Sequence, residues 1–482
     1  HLVTLADPED YDPKYKAWKL EDLPLMPKEF KLEVIRQSQK QYQAVKAQIH
    51  RKDVGEIIIA TDAGREGELV ARLILVKAGN KKPIKRLWIS SVTDKAIREG
   101  FARLRNGHDY DPLYDAALCR AEADWLVGIN ATRALTCRYN AQLSCGRVQT
   151  PTLAIVAKRE EQIRGFVPRT YYGLRASAKG ITLIWKDGKS GSTRTFDRER
   201  IQGLRRALEG REAEVREVKA ARKKTCAPLL YDLTELQKDA YKRFGFSPKE
   251  TLNIMQRLYE NHKVLTYPRT DSRYISSDIV PTIKDRLEAC AVGPYRKLAA
   301  KVMRTAVSPK AAFVNDKKVS DHHAIIPTEQ YVELTHMTNE ERKIYDLVVR
   351  RFLSVLYPPA EYEEIQLTAA LGEESFYAKG RRMLKEGWRE VYGADEEEER
   401  EEDEDVKSQS LPRLEKGDRI EGVHLAVTEG KTKPPARFNE GTLLSAMENP
   451  AAYMERHDKQ AAKTLGETGG LGTVATRADI IE

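Results

Sequence analysis

The sequence predicts a multidomain protein in which α/β, helical and β-rich segments alternate along the chain. The chain has 482 residues, which exceeds the size of one ordinary domain of about 100–200 residues. Hydrophobic residues make up 41% of the chain, enough to form large cores. The spacing of apolar residues changes several times between the period of helices and that of strands. Together these observations favour several domains of different class.

Residues 1–105 are predicted to form an α/β domain. Glu56 to Ala60 is a short apolar run typical of a buried parallel strand, and apolar residues from Leu69 to Leu75 recur at helical spacing. An acidic turn lies between them. A second buried strand is predicted at Leu87–Ile89.

The later segments alternate in predicted structure. In chain order they are residues 106–165 (helical), 166–220 (strands), 230–355 (helical), 356–435 (mixed, β-leaning) and 436–482 (helical, with a glycine loop at 469–472). Strands are predicted at residues 171–176 and 181–185, with a turn at Asp187-Gly188, and helices at Leu233–Phe244 and Pro248–Glu260.

The composition excludes several classes of protein. No run of about 18 apolar residues occurs, so no membrane span is predicted. The five cysteines form no C-x-x-C pair, which argues against a zinc ribbon or disulfide scaffold and fits a reducing cytoplasm. The chain opens with His1, without a signal peptide, and stops at Glu482 within an apparent helix, so we expect further residues at both ends.

The charge is unevenly distributed. The net charge is +9, but residues 395–405 read DEEEEREEDED and carry −9, which leaves +18 on the rest of the chain. A run of this kind is usually a solvated loop. The basic remainder favours binding to a polyanion, most often nucleic acid, although general solubility is an alternative explanation.

Asp62 and Glu66 follow the first predicted strand, four residues apart. The carboxyl ends of strands in open α/β sheets are where ligand chemistry is placed, and two carboxylates there suit Mg²⁺. Two ordinary turn acids are the more frequent explanation of an isolated D-x-x-x-E.

Tyr267 and Arg269 share a face if the backbone between them is extended. A guanidinium would favour the phenolate and could hold a phosphate, which would suit attack by tyrosine on a phosphodiester. With 21 tyrosines in the chain, packing is the alternative. In the pair His322-His323, one histidine as a phosphate donor is favoured over two metal ligands, because neighbours in a strand point to opposite faces.

Other segments fit contacts with a phosphate chain. Arg120 and Asp124 are predicted to pair at i, i+4 on a helix, with a plain surface salt bridge as the alternative. Ser144, Cys145, Gly146, Arg147, Val148 and Gln149 form a loop whose small residues and amide donors allow close approach. The segments ending at Ser190 and Thr432 lack the first glycine of a P-loop, so no ATP-driven motor is predicted.

Taken together, these segments resemble the type IA DNA topoisomerases. The resemblance rests on six segments in family order, namely Thr61–Glu68, Arg120–Gly128, Ser144–Gln149, Tyr267–Ser272, His322–Thr328 and Gly470–Ala478. The first looks like the acidic motif of a Toprim domain, and the fourth like the strand that carries the nucleophile.

The resemblance implies a ring-shaped (toroidal) architecture with a β-rich arch. Its expected parts are residues 1–105 (Toprim domain, domain I), 106–165 and 436–482 (helical domain IV), 166–225 and 356–435 (arch, domain II, with the acidic loop 395–405) and 226–355 (helical domain III, with Tyr267).

The resemblance also implies an ATP-independent isomerase. Tyr267 would attack one DNA strand and hold its 5′ phosphate, Arg269 would stabilise the phosphoryl charge, and His322 would donate a hydrogen bond nearby. Asp62 and Glu66 would bind Mg²⁺. Arg120, Asp124, Arg133, the Ser144–Gln149 loop and Trp18, by stacking, would guide single-stranded DNA. Relaxation of negative supercoils, decatenation, a nucleoid location in the cytoplasm, a monomeric state and a helicase partner are the corresponding expectations.

One departure concerns the metal site. Many relatives carry D-x-D-x-E, whereas Gly64 stands at the middle acid position here. The number of bound metal ions is therefore open. The alternatives to a topoisomerase are another Toprim enzyme, such as a primase or nuclease, and a non-catalytic single-stranded DNA-binding protein.

Overall fold

The computed structural model describes residues 1–90, 93–304, 307–308, 311–393, 406–454 and 459–482. These residues form two units. The first consists of His1–Ala157, Leu229–Val349 and Phe438–Glu482, and the second of Lys158–Pro228 and Arg350–Arg437. Each unit is therefore assembled from stretches that are distant in the chain.

The secondary structure follows the alternation predicted from the sequence. The strands are β1 (Val3–Leu5), β2 (Leu32–Val34), β3 (Ile57–Ile59), β4 (Ile84–Arg86), β5 (Arg105–Asn106), β6 (Thr170–Ala178), β7 (Ile181–Lys186), β8 (Ala213–Thr225), β9 (Ala360–Leu371), β10 (Glu374–Lys385), β11 (Ser408–Gln409), β12 (Arg419–Ile420) and β13 (His424–Lys431). The α-helices are α1 (Gln39–Ile49), α2 (Arg65–Ala78), α3 (Asp94–Ala102), α4 (Asp111–Tyr139), α5 (Gln149–Arg164), α6 (Arg198–Leu208), α7 (Leu233–Phe244), α8 (Pro248–Glu260), α9 (Ile283–Cys290), α10 (Arg296–Val302), α11 (Asn339–Ser354), α12 (Glu440–Glu448), α13 (Lys459–Glu467) and α14 (Arg477–Ile481).

The amino-terminal part of the first unit contains a β-α-β motif. Strands β3 and β4 are parallel neighbours, α2 connects them, and β5 adds antiparallel to β4. The apolar stripe of α2 packs on this sheet and on α4, which buries Leu69, Leu73 and Leu75. The helix ends at Gly79, whose φ of +69° is the left-handed conformation that favours glycine at this position. This motif places the acidic turn at the carboxyl end of β3.

The middle part of the first unit is helical because its helices carry strong start signals. Asp232 caps α7 by accepting a hydrogen bond from the Glu235 amide at 2.7 Å, and Ser247 caps α8 in the same way. Pro248 occupies the first turn of α8, where its missing amide hydrogen costs nothing. Both helices begin and end at the predicted residues.

The second unit is built on one sheet of strand order β12-β8-β9-β10-β7-β6-β13, with β11 paired to β10. Strands β9 and β10 form a long antiparallel pair, and β6 and β7 form a hairpin. The hairpin turns at Lys179-Gly180, both at positive φ, and Asp187-Gly188 turns the chain after β7. One face of the sheet packs with α6 around Trp185, which is fully buried.

Most of the predicted elements are confirmed, with one exception. The strand predicted at Leu87–Ile89 is wrong, since β4 occupies Ile84–Arg86 and the Leu87 amide makes one last bond to the Ile59 carbonyl. The acidic run 395–405 lies outside the described residues. The division into six segments stays a prediction. In the described part of the chain, no helix has the length and apolar character needed to cross a membrane.

Asp232 gives a testable pH dependence of stability. Burial raises its pKa to about 7, well above the value of about 3.9 expected in the unfolded chain. Between these two pH values the folded protein holds a proton that the unfolded chain lacks. The free energy of unfolding therefore falls as the pH rises from about 4 to about 7. Asp232→Asn keeps the capping oxygen and has no charge to bury. We expect its stability relative to the unchanged protein to improve between pH 5 and pH 8 by on the order of 2 kcal/mol.

The measurement is the free energy of unfolding of the first unit at both pH values. The matched control is Asp12→Asn, because Asp12 also lies in the first unit and caps the short helix Pro13–Lys16 through the Lys14 amide, but its side chain is 46% exposed. The control should show no such pH-dependent gain. The free energies of unfolding of Asp232→Asn and the unchanged protein could instead differ by the same amount at pH 5 and pH 8. That result would contradict the cost of burying this acid in its charged form.

Candidate active site

The acidic turn between β3 and α2 has a defined backbone. Thr61 Oγ1 donates to the Gly67 carbonyl at 2.8 Å, and the Gly64 amide donates to the Asp62 carbonyl at 2.9 Å. The Asp62 and Glu66 side chains are 60% and 65% exposed. Both predicted metal ligands therefore stand at the carboxyl end of β3 with their carboxylates accessible.

A buried ion network holds this turn from below. Arg86 is fully buried, and its guanidinium donates to the Thr61 carbonyl at 2.7 Å and the Asp62 carbonyl at 2.5 Å. Arg86 Nε also donates to Glu68 at 2.9 Å, and the other carboxylate oxygen of Glu68 accepts from Arg72 at 2.9 Å. Glu68 is fully buried as well, and the two guanidinium groups balance the negative charge of its carboxylate.

Close packing explains the second glycine of the turn. A Cβ atom at Gly67 would lie 2.1 Å from the Asp62 carbonyl oxygen, a distance that no side chain tolerates. Glycine at this position therefore lets the first turn of α2 approach the backbone of Asp62. The approach brings Thr61 and Gly67 within hydrogen-bond distance.

The segment that carries Tyr267 is paired with the segment that carries His322. Leu265 forms an antiparallel bridge with Pro327, and the Thr266 amide donates to the Ile326 carbonyl at 3.0 Å. Further along, Thr270 Oγ1 donates to the His322 carbonyl at 3.0 Å. This pairing puts the rings of Tyr267 and His322 side by side, with centroids 4.3 Å apart.

His322 connects Tyr267 to the acidic turn. Its Nε2 atom lies 3.5 Å from Asp62 Oδ2, and this contact holds the pKa of Asp62 below its usual value. The neighbouring His323 behaves differently, since burial lowers its pKa to about 4 and its Nδ1 atom is bonded to the Ala324 carbonyl. The structure thus brings one of the two histidines to the site.

The ionisation of Tyr267 differs from the sequence expectation. Burial raises the pKa of its phenol above the usual value, and the opposing effect of the Arg269 guanidinium is smaller. Arg269 itself is exposed. Arg269 thus favours the phenolate, as the sequence indicated, but burial outweighs its effect on the pKa. The half-buried ring also meets Tyr259 edge-on, with centroids 5.5 Å apart.

Two residues at the site were missed by sequence reasoning. His1 Nε2 lies 3.2 Å from Glu66 Oε1 and holds the pKa of Glu66 below its usual value. Asp321 lies against Gly64, and burial raises the pKa of its carboxyl. Its position directly before His322 was the one signal that could have drawn attention to Asp321.

The residues predicted to contact DNA lie on and beside α4. Asp124 accepts from Arg147 Nε at 2.6 Å, which ties the Ser144–Gln149 loop to the helix. The predicted pair between Arg120 and Asp124 is therefore wrong, and the partner comes from the loop. Thr132 Oγ1 adds two hydrogen bonds to the backbone of Cys145.

Arg133 and Trp18 form a second part of this surface. Arg133 is only 7% exposed and donates to the Tyr15 carbonyl at 2.7 Å. Its guanidinium lies 5.1 Å from the centroid of the Trp18 ring, while 47% of Trp18 remains exposed. The tryptophan is thus held in place by a cation–π contact and still presents an aromatic surface to solvent.

Comparison with known proteins gives consistent results. Residues 108–482 match the DNA topoisomerase family, and residues 1–92 match the Toprim domain. The chain is 61% identical over 483 residues to DNA topoisomerase 3 of Bacillus licheniformis and 60% identical over 482 residues to DNA topoisomerase 3 of Bacillus subtilis strain 168. Each match covers 100% of this chain and 66% of the relative, so the chain spans slightly less than two thirds of these proteins.

A solved structure is also similar over the whole chain. Full-length topoisomerase I from Thermotoga maritima has a TM-score of 0.68 and 25% sequence identity, and the match covers 100% of this chain and 72% of that chain.

The buried network below the acidic turn makes a prediction about stability. Glu68→Gln keeps the shape of the side chain but leaves Arg86 and Arg72 without their buried counter-charge. We expect a loss of about 3–5 kcal/mol in the free energy of unfolding of the first unit, measured by chemical denaturation. The control Glu21→Gln removes one partner of an exposed pair with Lys19 in the same unit and should change stability little. Equal effects of the two substitutions would contradict the role given to Glu68.

Proposed function

Because the chain belongs to the type IA DNA topoisomerase family, we propose that the protein cleaves one strand of DNA through Tyr267, passes another strand through the break and reseals it without ATP. The outcome would be relaxation of negative supercoils, decatenation of DNA, or both.

One observation carries the proposal. Tyr267, His322 and Asp62 come from three distant parts of the chain and form a continuous row, with the rings of Tyr267 and His322 at 4.3 Å and His322 Nε2 at 3.5 Å from Asp62. A packed structural tyrosine would not need a histidine on one side and exposed carboxylates beyond it. Such a row supports attack on a phosphodiester beside a cation site.

The chemistry follows from the groups present. The phenolic oxygen of Tyr267 forms a bond to phosphorus as the bond to the 3′ oxygen breaks, which leaves a 5′-phosphotyrosine and a 3′-hydroxyl. The phenol must lose its proton during attack, since burial keeps its pKa high. Arg269 would balance the charge on the phosphoryl oxygens, and His322 would donate a hydrogen bond to them. Attack by the 3′-hydroxyl on the phosphotyrosine reverses the step, so the bond energy is retained and no ATP is required.

The acidic turn fits a magnesium ion. Contacts with His322 and His1 hold the pKa values of Asp62 and Glu66 below their usual range, so both carboxylates are ionised at neutral pH. Mg²⁺ is commonly held by one or two carboxylates while it keeps several waters and contacts phosphates. Asp62 and Glu66 would hold the ion, which would compensate phosphate charge during religation.

The surface beside α4 fits a path for single-stranded DNA. Arg120 and Arg147 supply positive charge, and Arg133 holds Trp18, whose exposed face is available for stacking on a base. The remaining net charge of +18 outside the acidic run supports binding to a polyanion. A nucleoid location, a monomeric state and a helicase partner are parts of the proposal that rest on the family resemblance alone. The comparisons do not favour a primase, a nuclease or a non-catalytic DNA-binding protein.

Replacement of the nucleophile tests this function. Tyr267→Phe removes the phenolic oxygen and retains the ring that packs on His322. In the complete protein with Mg²⁺, we expect no covalent adduct with single-stranded DNA on a denaturing gel, and no relaxation of a negatively supercoiled plasmid. The unchanged protein should give both without ATP.

Tyr259→Phe is the matched control. It removes a hydroxyl from the neighbouring ring, 5.5 Å away, and leaves Tyr267 intact. This variant should form adducts and relax plasmid DNA. Adducts that persist in Tyr267→Phe would show that the nucleophile is wrong, and an unchanged linking number with the complete protein would overturn the proposed activity.

A further inference from the structure

Gly64 and Asp321 compete for the same space at the acidic turn. A Cβ atom at Gly64 would lie 2.0 Å from Asp321 Oδ2 and 2.3 Å from Asp321 Cγ. The carboxylate of Asp321 therefore occupies the volume into which a side chain at position 64 would project. The two positions are distant in the chain and meet through the fold.

The backbone of Gly64 does not itself require glycine. Its φ of −161° and ψ of −179° are extended and open to any residue. Glycine at this position leaves the space to the Asp321 carboxylate, and a larger residue would require that side chain to move. Since Gly64 stands between Asp62 and Glu66, the carboxylate that fills this space comes from the other segment of the site.

Asp321 differs from the two acids of the turn in its partners. Asp62 contacts His322, and Glu66 contacts His1. In the part of the chain that the structure describes, the Asp321 carboxylate has neither a hydrogen bond nor an ion pair. His322 and, more weakly, Arg65 act on it without direct contact, and burial together with the charges of Asp271 and Asp62 outweighs them. A partly buried carboxylate beside other carboxylates is unfavourable without a counter-charge. A divalent cation would supply that charge.

We propose that Asp321 supplies the third carboxylate of the divalent-cation site formed with Asp62 and Glu66, in the place that the acidic turn leaves to Gly64. This inference rests on the proposed function, which places Mg²⁺ at the turn. Among the described residues, no group of three or more His, Cys, Asp or Glu side chains is placed to hold a metal ion together. Asp321 therefore acts on the ion through one of the waters that Mg²⁺ keeps.

The test measures the binding of Mn²⁺ to the complete protein without DNA. Electron paramagnetic resonance reports how much of the ion remains free. The binding that is lost in Asp62→Asn defines the site. We expect Asp321→Asn to weaken this binding about tenfold or more, with the circular dichroism of the metal-free protein unchanged. Asp271→Asn is the control, because Asp271 is a nearby exposed acid that accepts from Ser320 Oγ at 2.8 Å. It should weaken binding less than about twofold, since an exposed charge is screened by solvent.

A double substitution tests the shared space directly. In Gly64→Asp with Asp321→Gly, the carboxylate moves to the turn and the volume conflict is removed. This variant should recover most of the Mn²⁺ affinity lost in Asp321→Gly, whereas Gly64→Asp alone should not improve on the unchanged protein.

The outcomes distinguish a failure of the role given to Asp321 from a failure of the cation site itself. If Asp62→Asn weakens Mn²⁺ binding but Asp321→Asn does not, the role of Asp321 is overturned and the cation site stands. If Asp62→Asn has no effect either, the cation site of the proposed function fails, and the role of Asp321 fails with it.

Discussion

The guanidinium of Arg86 is the contact on which the acidic end of the site depends. It is fully buried, it balances Glu68, and it donates to the carbonyls of Thr61 and Asp62. A charge in this position would be strongly unfavourable without its partners, so the network forms as a whole. Since Arg86 ends β4 and Glu68 belongs to α2, the same contacts join strand, turn and helix. The position of the Asp62 carboxylate is thereby set by the core of the unit.

The other half of the site is set by backbone pairing. The segments of Tyr267 and His322 are joined through Leu265, Thr266 and Thr270, whose bonds leave little freedom for either segment to shift alone. His322 then bridges the two halves by its contact with Asp62. The site therefore consists of two parts, the acidic turn and the paired segments, each supported by its own contacts. Tyr267, His322 and Asp62 lie in a row where the two parts are in contact.

The candidate residues that follow sequence motifs were predictable, and their partners were not. Asp62, Glu66, Tyr267 and His322 were each chosen from a strand end or turn, and the structure brings them to one place. Asp124 was paired with Arg120 because a helix places i and i+4 together, yet its partner is Arg147, from a loop that folds back on α4. For Tyr267 the sequence indicated the effect of Arg269 on the pKa but not that of burial, which depends on surrounding segments and is the larger of the two.

The sequence alone determined the type and order of the elements, because apolar period, caps and turn residues act over a few neighbours. The bounds of α7 and α8 and the parallel strand before the acidic turn follow from such local signals. The tertiary structure decided which segments share a unit, which of two adjacent histidines reaches the site, and that Asp321 fills the space beside Gly64. These features depend on contacts between distant residues, where packing and desolvation outweigh any preference that a short stretch of chain has by itself.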